Sequence, residues 1–207
     1  MAITAAMVKE LREMTGAGMM DCKKALTETN GDMDAAVDVL KKSGAAKMEK
    51  KQSRIAAEGI ARVAVNGNVA VVAEVNSETD FVAKNETFQE FVQTVADTAL
   101  ASDLNGGANG EDIEALLATN GLSDLLVEKT ATIGEKLSVR RFAKVTGDAV
   151  ASYIHGGGRI GVVIAADGAS DDAAKEALTN IAMQVAAMNP QYISRNDISA
   201  EELAKIK

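Results

Sequence analysis

Two apolar segments separated by an Asn-Gly pair place the strongest constraint on how this chain can fold. Residues 60–65 and 69–75 are rich in Val, Ile and Ala, and Asn66-Gly67 lies between them. Both turn residues tolerate the positive φ angles of a tight two-residue connection, so this arrangement is a strong signal for a β-hairpin. We therefore predict two antiparallel strands here.

The segment after this hairpin presents an isolated aromatic residue. A polar stretch, N-S-E-T-D at residues 76–80, ends the second strand, and Phe81 follows it directly. Thr87 and Glu90 have the spacing of a capping box, which predicts that a helix begins near residue 87. Its apolar stripe is formed by Phe88, Phe91, Val92, Val95, Ala96 and Ala99. Phe81 lies outside this stripe, on the predicted connection, where it either fills the end of the hairpin or is presented to a partner.

Residues 1–44 have the pattern of a compact three-helix module. Thr4 and Asp32 are suited to cap the first and third helices, and Gly-containing turns separate the three helices. Met19 and Met20 stand next to each other at the start of the second helix, where adjacent side chains point about 100° apart. At least one of them is therefore expected to be accessible, as part of an adaptable docking surface, unless both pack locally.

The rest of the chain predicts an α+β core with two related parts. Residues 45–57 form a basic linker. Residues 58–146 contain the first hairpin, the helix that follows it, one or two short helices at 113–133 and a further strand at 137–145. Residues 147–207 repeat the order of hairpin, Gly-rich turn and helix, and a capping box at Ser199 and Glu202 starts a last short helix. We therefore predict two subdomains, each a small antiparallel sheet with covering helices.

The second subdomain is expected to be incomplete at its C-terminal end. It has only one hairpin of its own, and a lone hairpin is barely stable in water. Either the native chain continues, or two copies form a homodimer through the unpaired hairpin edges.

Composition favours a cytoplasmic protein that binds other proteins. The net charge is −8, which argues against nucleic acid or an anionic membrane as a direct partner. Cys22 is the single cysteine, and neither a signal peptide nor a membrane-spanning stretch is visible. No metal site, phosphate loop or cofactor motif is predicted.

An acid–base pair of Asp80 with His155 is a weak hypothesis, because no nucleophile accompanies it, so we predict no catalytic residue.

Four motifs together indicate a family. They are V-K-E-L-R-E-M-T-G-A-G-M-M-D-C-K-K-A-L at 8–26, E-V-N-S-E-T-D-F-V-A-K-N at 74–85, I-G-E-K-L-S-V-R-R at 133–141 and Y-I-H-G-G-G-R-I-G-V at 153–162. The chain resembles the elongation factor Ts family, the guanine-nucleotide exchange factors of elongation factor Tu, over essentially its whole length. The resemblance implies a ubiquitin-associated-like three-helix module followed by a two-subdomain core. Long family members continue past residue 207 with a helical hairpin and more core elements, and the Gly run after His155 varies in length.

The resemblance also implies a site and a mechanism. Asp80 and Phe81, flanked by Thr79 and Val82, would enter the GTPase domain of the partner near its Mg²⁺ and promote GDP release without chemistry by this chain. The remaining contacts implied by the family are Arg12, Met19, Met20, Lys23, Ile133, Gly134 and His155. Such a factor binds the nucleotide-free partner most tightly. The competing hypothesis is an adaptor whose three-helix module binds helical or ubiquitin-like ligands, in which case residues 1–50 would bind fully on their own.

Overall fold

The computed structural model describes residues 2–168 and 170–206 and has an α+β architecture. The helices are α1 (Ala5–Thr15), α2 (Met19–Glu28), α3 (Met33–Glu49), α4 (Asp80–Ala83), α5 (Glu86–Ala101), α6 (Ile113–Leu117), α7 (Leu122–Ile133), α8 (Asp172–Met188) and α9 (Ala200–Ile206). The strands are β1 (Glu58–Asn66), β2 (Val69–Ser77), β3 (Ser138–Thr146), β4 (Ala149–His155) and β5 (Ile160–Ala166). A short 3₁₀ turn lies at Arg195–Asp197. No helix in the described part of the chain has both the length and the apolar character needed to span a membrane.

The three N-terminal helices form where the sequence predicts them. The Thr4 side chain accepts a hydrogen bond from the Met7 backbone N–H, and Asp32 accepts one from Ala35, so both predicted caps are confirmed. The buried residues of this unit are Val8, Leu11, Cys22, Ala25, Leu26 and Ala36. These helices therefore have a small apolar core of their own.

Helix α3 is longer than the module boundary predicted at residue 44. It continues without a break to Glu49, into the predicted linker. Gly44 is buried against α7, and a Cβ atom at this position would lie 3.1 Å from Val127 Cγ1. Because Gly44 has no side chain, α3 can pack closely on α7, and the packing supports the extra turn of helix.

Strand β2 is the centre of a three-stranded antiparallel sheet with the order β1-β2-β3. The predicted hairpin is confirmed, but its two-residue turn is Gly67-Asn68, because Asn66 ends β1 and pairs with Val69; the φ of Gly67 is 58°. On one face of β2 the residues Val71, Ala73 and Val75 are fully buried, and they share a core cluster with the apolar stripe of α5. The predicted stripe of Phe88, Phe91, Val92, Val95, Ala96 and Ala99 is buried throughout.

The predicted cap of α5 is wrong. The helix begins at Glu86, and the side chain of Asn85, not that of Thr87, caps it by accepting a hydrogen bond from the Phe88 backbone N–H. Asn is at least as good a cap as Thr, and the cap at Asn85 places Thr87 inside the first turn.

The capping box at Ser199 and Glu202 is confirmed, since each side chain accepts a hydrogen bond from the backbone N–H of the other.

The second hairpin, β4-β5, packs on the sheet face opposite α5. Gly161 lies against Val72 and Ala61, where an added Cβ would approach their side chains to 2.8 and 2.9 Å. At the turn, the Ala61 backbone N–H donates a hydrogen bond to the Gly158 carbonyl oxygen at 2.7 Å. Helix α8 covers the other side of this hairpin with Leu178 and Ala182. The two sheets are therefore held together through closely packed glycines.

Candidate functional site

The residues between β2 and α5 form a single helical turn, α4, which the sequence did not predict. Thr79 has an extended backbone, and its side-chain oxygen accepts a hydrogen bond from the Val82 backbone N–H at 3.4 Å. Ala83 is buried and Val82 packs against the core, whereas the Phe81 side chain is 80% exposed. The hypothesis that Phe81 fills the end of the hairpin is therefore wrong. A large aromatic side chain stands out from a short, capped turn.

The carboxylate of Glu135 anchors the start of this turn. The backbone N–H groups of Glu78 and Thr79 both donate to Glu135 Oε2 at 3.0 Å, and the Thr79 hydroxyl donates to Oε1 at 2.6 Å. Glu135 lies in the loop between α7 and β3, directly after Gly134. Sequence reasoning missed this residue, although it stands inside the I-G-E-K motif beside two predicted contact residues.

Glu78 makes the reciprocal contact. Its carboxylate accepts a hydrogen bond from the Lys136 backbone N–H at 2.5 Å and one from Arg54 Nη1 at 3.2 Å. The Lys136 ammonium group in turn donates to the carbonyl oxygens of Gln52 and Arg54. The segment that follows α3 is thereby tied to the base of α4. The Lys136 N–H first, and Arg54 second, hold the pKa of the Glu78 carboxyl below its usual value of 4.5.

Asp80 and His155 have separate partners. Asp80 Oδ2 lies 2.7 Å from Lys84 Nζ, which lowers the pKa of the Asp80 carboxyl, and the positive charge of Arg159 adds a smaller contribution. His155 is exposed at the end of β4, and its Nδ1 is 3.1 Å from the Tyr153 hydroxyl oxygen. No hydrogen bond or ion pair among the described residues joins Asp80 to His155. The geometry therefore gives no support to an acid–base pair.

A groove of about 540 Å³ lies on the N-terminal helices, and we call it the N-terminal groove. Its lining residues are Ile3, Thr4, Ala5, Val8, Lys9, Arg12, Met19, Met20 and Lys23. Met19 is 58% exposed and Met20 is 74% exposed, so the alternative that both methionines pack locally is wrong. Three exposed cationic side chains, Lys9, Arg12 and Lys23, line the same apolar depression.

Helix α7 contacts the turn between α1 and α2 and leads, through the loop that follows it, to the base of α4. The Thr132 hydroxyl donates to the carbonyl oxygen of Gly16, in the turn between α1 and α2, at 3.5 Å. Ile133 packs against the core, and Gly134 ends the helix with a φ of 86°. Glu135 then reaches Thr79. The structure therefore joins two predicted groups, Ile133-Gly134 and Thr79–Val82, through Glu135. The predicted contacts Arg12, Met19, Met20 and Lys23 lie on α1 and α2, and His155 lies on the second hairpin.

A cleft of about 720 Å³ lies beside the contact between the two sheets. Its polar lining includes Glu74, Asn76, Arg141 and Arg159, and Arg141 Nε lies 2.7 Å from Glu74 Oε2. The side-chain oxygen of Asn76 is buried without a hydrogen-bond partner. Across residues 2–168 and 170–206, the His, Cys, Asp and Glu side chains form no group of three or more that could hold a metal ion.

The lowered pKa of Glu78 predicts an acid-sensitive contribution to stability. A carboxyl whose pKa is depressed in the folded state stabilises the fold above its unfolded pKa and loses that contribution as the pH falls through the folded pKa. Glu78→Gln should therefore lower the Tm at neutral pH, and its difference from the wild type should shrink as the pH falls below 4.5. Thermal melts over this range test it, with Glu114→Gln on α6 as the control. A Tm difference that is the same at every pH would contradict the assignment.

One known protein family matches a large part of this chain. The sequence model of the family described as elongation factor TS matches residues 78–207, which is more than half of the chain. The match begins at the base of α4 and includes α7, the Glu135 loop and the second hairpin. This chain belongs to the elongation factor Ts family.

Proposed function

We propose that this chain binds elongation factor Tu and promotes the release of GDP and its exchange for GTP. Family membership supports the partner and the reaction. The observation that carries the mechanism is Phe81, an apolar side chain that is 80% exposed on a capped helical turn. Aromatic side chains, Phe among them, are enriched in the buried centres of protein interfaces. The role requires no chemistry by this chain.

The proposed action is on the Mg²⁺ and phosphate site of the partner. In phosphate-loop GTPases the nucleotide is held by backbone amides, a Lys and a Mg²⁺ ion that bridges the phosphates. Insertion of Phe81 beside this site would displace the groups that hold the metal, and the phosphate charges would lose part of their neutralisation. The Asp80 carboxylate, one position before Phe81, would bring a competing negative charge to the same place. In the free chain Lys84 holds that carboxylate in its charged form.

Preference for the nucleotide-free partner follows from linkage. An exchange factor accelerates release because it binds the empty GTPase more tightly than the GDP complex. The same coupling free energy acts in the other direction, so incoming GTP expels the factor. Thr79 and Val82 would contribute at the edge of this contact, and Ile133 and Gly134 would extend it. His155 would make a further contact from the second hairpin.

The N-terminal groove is proposed as the docking surface, within a ubiquitin-associated-like module at residues 1–44. Its apolar floor with two accessible methionines suits one face of an amphipathic helix. Lys9, Arg12 and Lys23 favour acidic residues at the margins of that helix. Residues 45–57 would be the linker, and residues 58–146 and 147–207 the two core subdomains.

We also propose that two copies associate through the second hairpin. In the described part of the chain, β4 and β5 form a two-stranded sheet, so each strand has one edge without a strand partner. Such edges accept further strands. We expect light scattering to give twice the chain mass at high protein concentration and a lower mass on dilution. A constant monomer mass over the whole concentration range would contradict this proposal.

Loss of the methionine pair should weaken docking. Met19→Ala combined with Met20→Ala should raise the Kd for elongation factor Tu about tenfold or more while the Tm stays unchanged, because both side chains are exposed. A binding titration measures this. Met188→Ala is a matched control, since Met188 on α8 is also 74% exposed. Equal affinities of the pair variant and the control would exclude the groove as the docking surface.

Phe81→Ala tests the exchange mechanism. Truncation of an interface anchor costs about 2 kcal/mol or more, so the accelerated release of labelled GDP from elongation factor Tu should slow about thirtyfold. The Tm should not change, because Phe81 is exposed. As a contrast, Phe88→Ala removes a fully buried ring and should destabilise the fold by about 3–5 kcal/mol.

Two outcomes would point elsewhere. Normal GDP release by folded Phe81→Ala would remove Phe81 from the mechanism. Tight binding of elongation factor Tu with no acceleration of GDP release by the wild-type chain would favour the adaptor hypothesis.

A further inference from the structure

We propose that Glu135 is a positioning residue for the exchange reaction. Its carboxylate holds the turn that carries Asp80 and Phe81 in the orientation required for insertion into the partner. This inference rests on the proposed function, because it assigns to Glu135 an effect that acts through Phe81.

Packing of the Phe81 side chain contributes little to the position of this residue. The ring is 80% exposed, so the position of Phe81 depends on the backbone of α4. That helix has only four residues, and a single helical turn is unstable in isolation. The turn must therefore be held by groups outside it.

Glu135 fixes the start of the turn through hydrogen bonds. The strand ladder of β2 ends at Ser77, and the next two backbone N–H groups, of Glu78 and Thr79, both donate to Glu135 Oε2. Buried or half-buried N–H groups without a partner are costly, so one carboxylate oxygen satisfies both. Glu135 thus fixes the direction in which the chain leaves the sheet.

The same carboxylate sets the orientation of the helix cap. The Thr79 hydroxyl donates a hydrogen bond to Glu135 Oε1, so its hydrogen points toward Glu135 and its oxygen can accept a hydrogen bond from the Val82 N–H. A cap that accepts a backbone N–H defines the first turn of a helix. One acceptor on Glu135 therefore determines the cap of the turn on which Phe81 lies.

Glu135 is itself held in place. Gly134 ends α7 with a positive φ, and its N–H donates to the Thr130 carbonyl oxygen. On the other side, the Lys136 N–H is bound by the Glu78 carboxylate. The two glutamates thus each bind the backbone beside the other. This reciprocal arrangement restricts both loops and makes the orientation of α4 depend on α7.

A fluorescence measurement on the free protein tests directly whether Glu135 restricts the motion of α4. The chain has no tryptophan, so Phe81→Trp provides a single indole reporter at the position of interest. In this background Glu135→Ala should increase the amplitude of fast local motion in the time-resolved anisotropy of the indole, with a smaller increase for Glu135→Gln. Gln keeps one carbonyl acceptor but replaces the other carboxylate oxygen with a donor. Glu114→Gln, an exposed residue on α6, is the control and should leave the anisotropy unchanged.

A double-mutant cycle on GDP release from elongation factor Tu tests the functional consequence. Glu135→Ala should lower the maximal accelerated rate about tenfold, and Glu135→Gln less, while the half-saturating concentration stays within about twofold because the N-terminal groove is intact. The variant with both Phe81→Ala and Glu135→Ala should be no slower than Phe81→Ala alone. Full multiplication of the two losses would overturn the inference, because Glu135 would then act independently of Phe81.

The remaining outcomes separate this inference from the proposed function. A slow Phe81→Ala with a normal Glu135→Ala rate, or an indole anisotropy that Glu135→Ala leaves unchanged, would overturn the role of Glu135 alone. Normal exchange by Phe81→Ala would instead overturn the proposed mechanism, and the positioning role that rests on it. If Glu135→Ala melts below the assay temperature, Glu135→Gln replaces it in the same cycle.

Discussion

The burial of β2 is the constraint on which the rest of the structure depends. This strand is hydrogen-bonded to β1 on one edge and to β3 on the other, with α5 on one face and the second hairpin on the opposite face. A slip of one residue would turn Val71, Ala73 and Val75 away from the α5 core and reverse both faces at once. The register is therefore strongly determined, and it delivers Ser77 and the following residues to one fixed end of the sheet. The exposed turn with Phe81 has a defined position because the strand before it has one.

The parts of the fold that depend on short-range patterns follow from the sequence. The hairpin of β1 and β2, the stripe of α5 and the caps at Thr4 and Asp32 each need only a few neighbouring residues, and each is confirmed. The turn α4 and the start of α5 are different. Thr79, Asn85 and Thr87 are all competent caps, and the structure uses the first for α4 and the second for α5. The Thr79 hydroxyl also donates a hydrogen bond to Glu135, which lies beyond α7 in the chain.

The contact that organises the candidate site could not be predicted for the same reason. Glu135 and Thr79 are 56 residues apart, and no periodicity links them. What the sequence indicated was that both motifs matter, since I-G-E-K and T-D-F belong to the stretches that resemble the elongation factor Ts family. The length of α3 shows a similar effect: its continuation beyond residue 44 depends on a close approach to Val127, which the helix pattern of residues 33–44 does not contain. Tertiary packing decided each of these features.

The continuous helix α3 also has a consequence for partner selection. A helix of 17 residues is roughly 25 Å long and bends little, and here it joins the N-terminal helices to the α7 face of the core. The groove and the exposed ring are thus held at a set separation, as two points on one stiff frame. A GTPase whose matching surfaces lie at another spacing could bind the groove or Phe81 but not both at once. Its affinity would then lack the increase that simultaneous binding at two sites gives. In the proposed function, geometry would then discriminate between related GTPases independently of the chemistry of either contact.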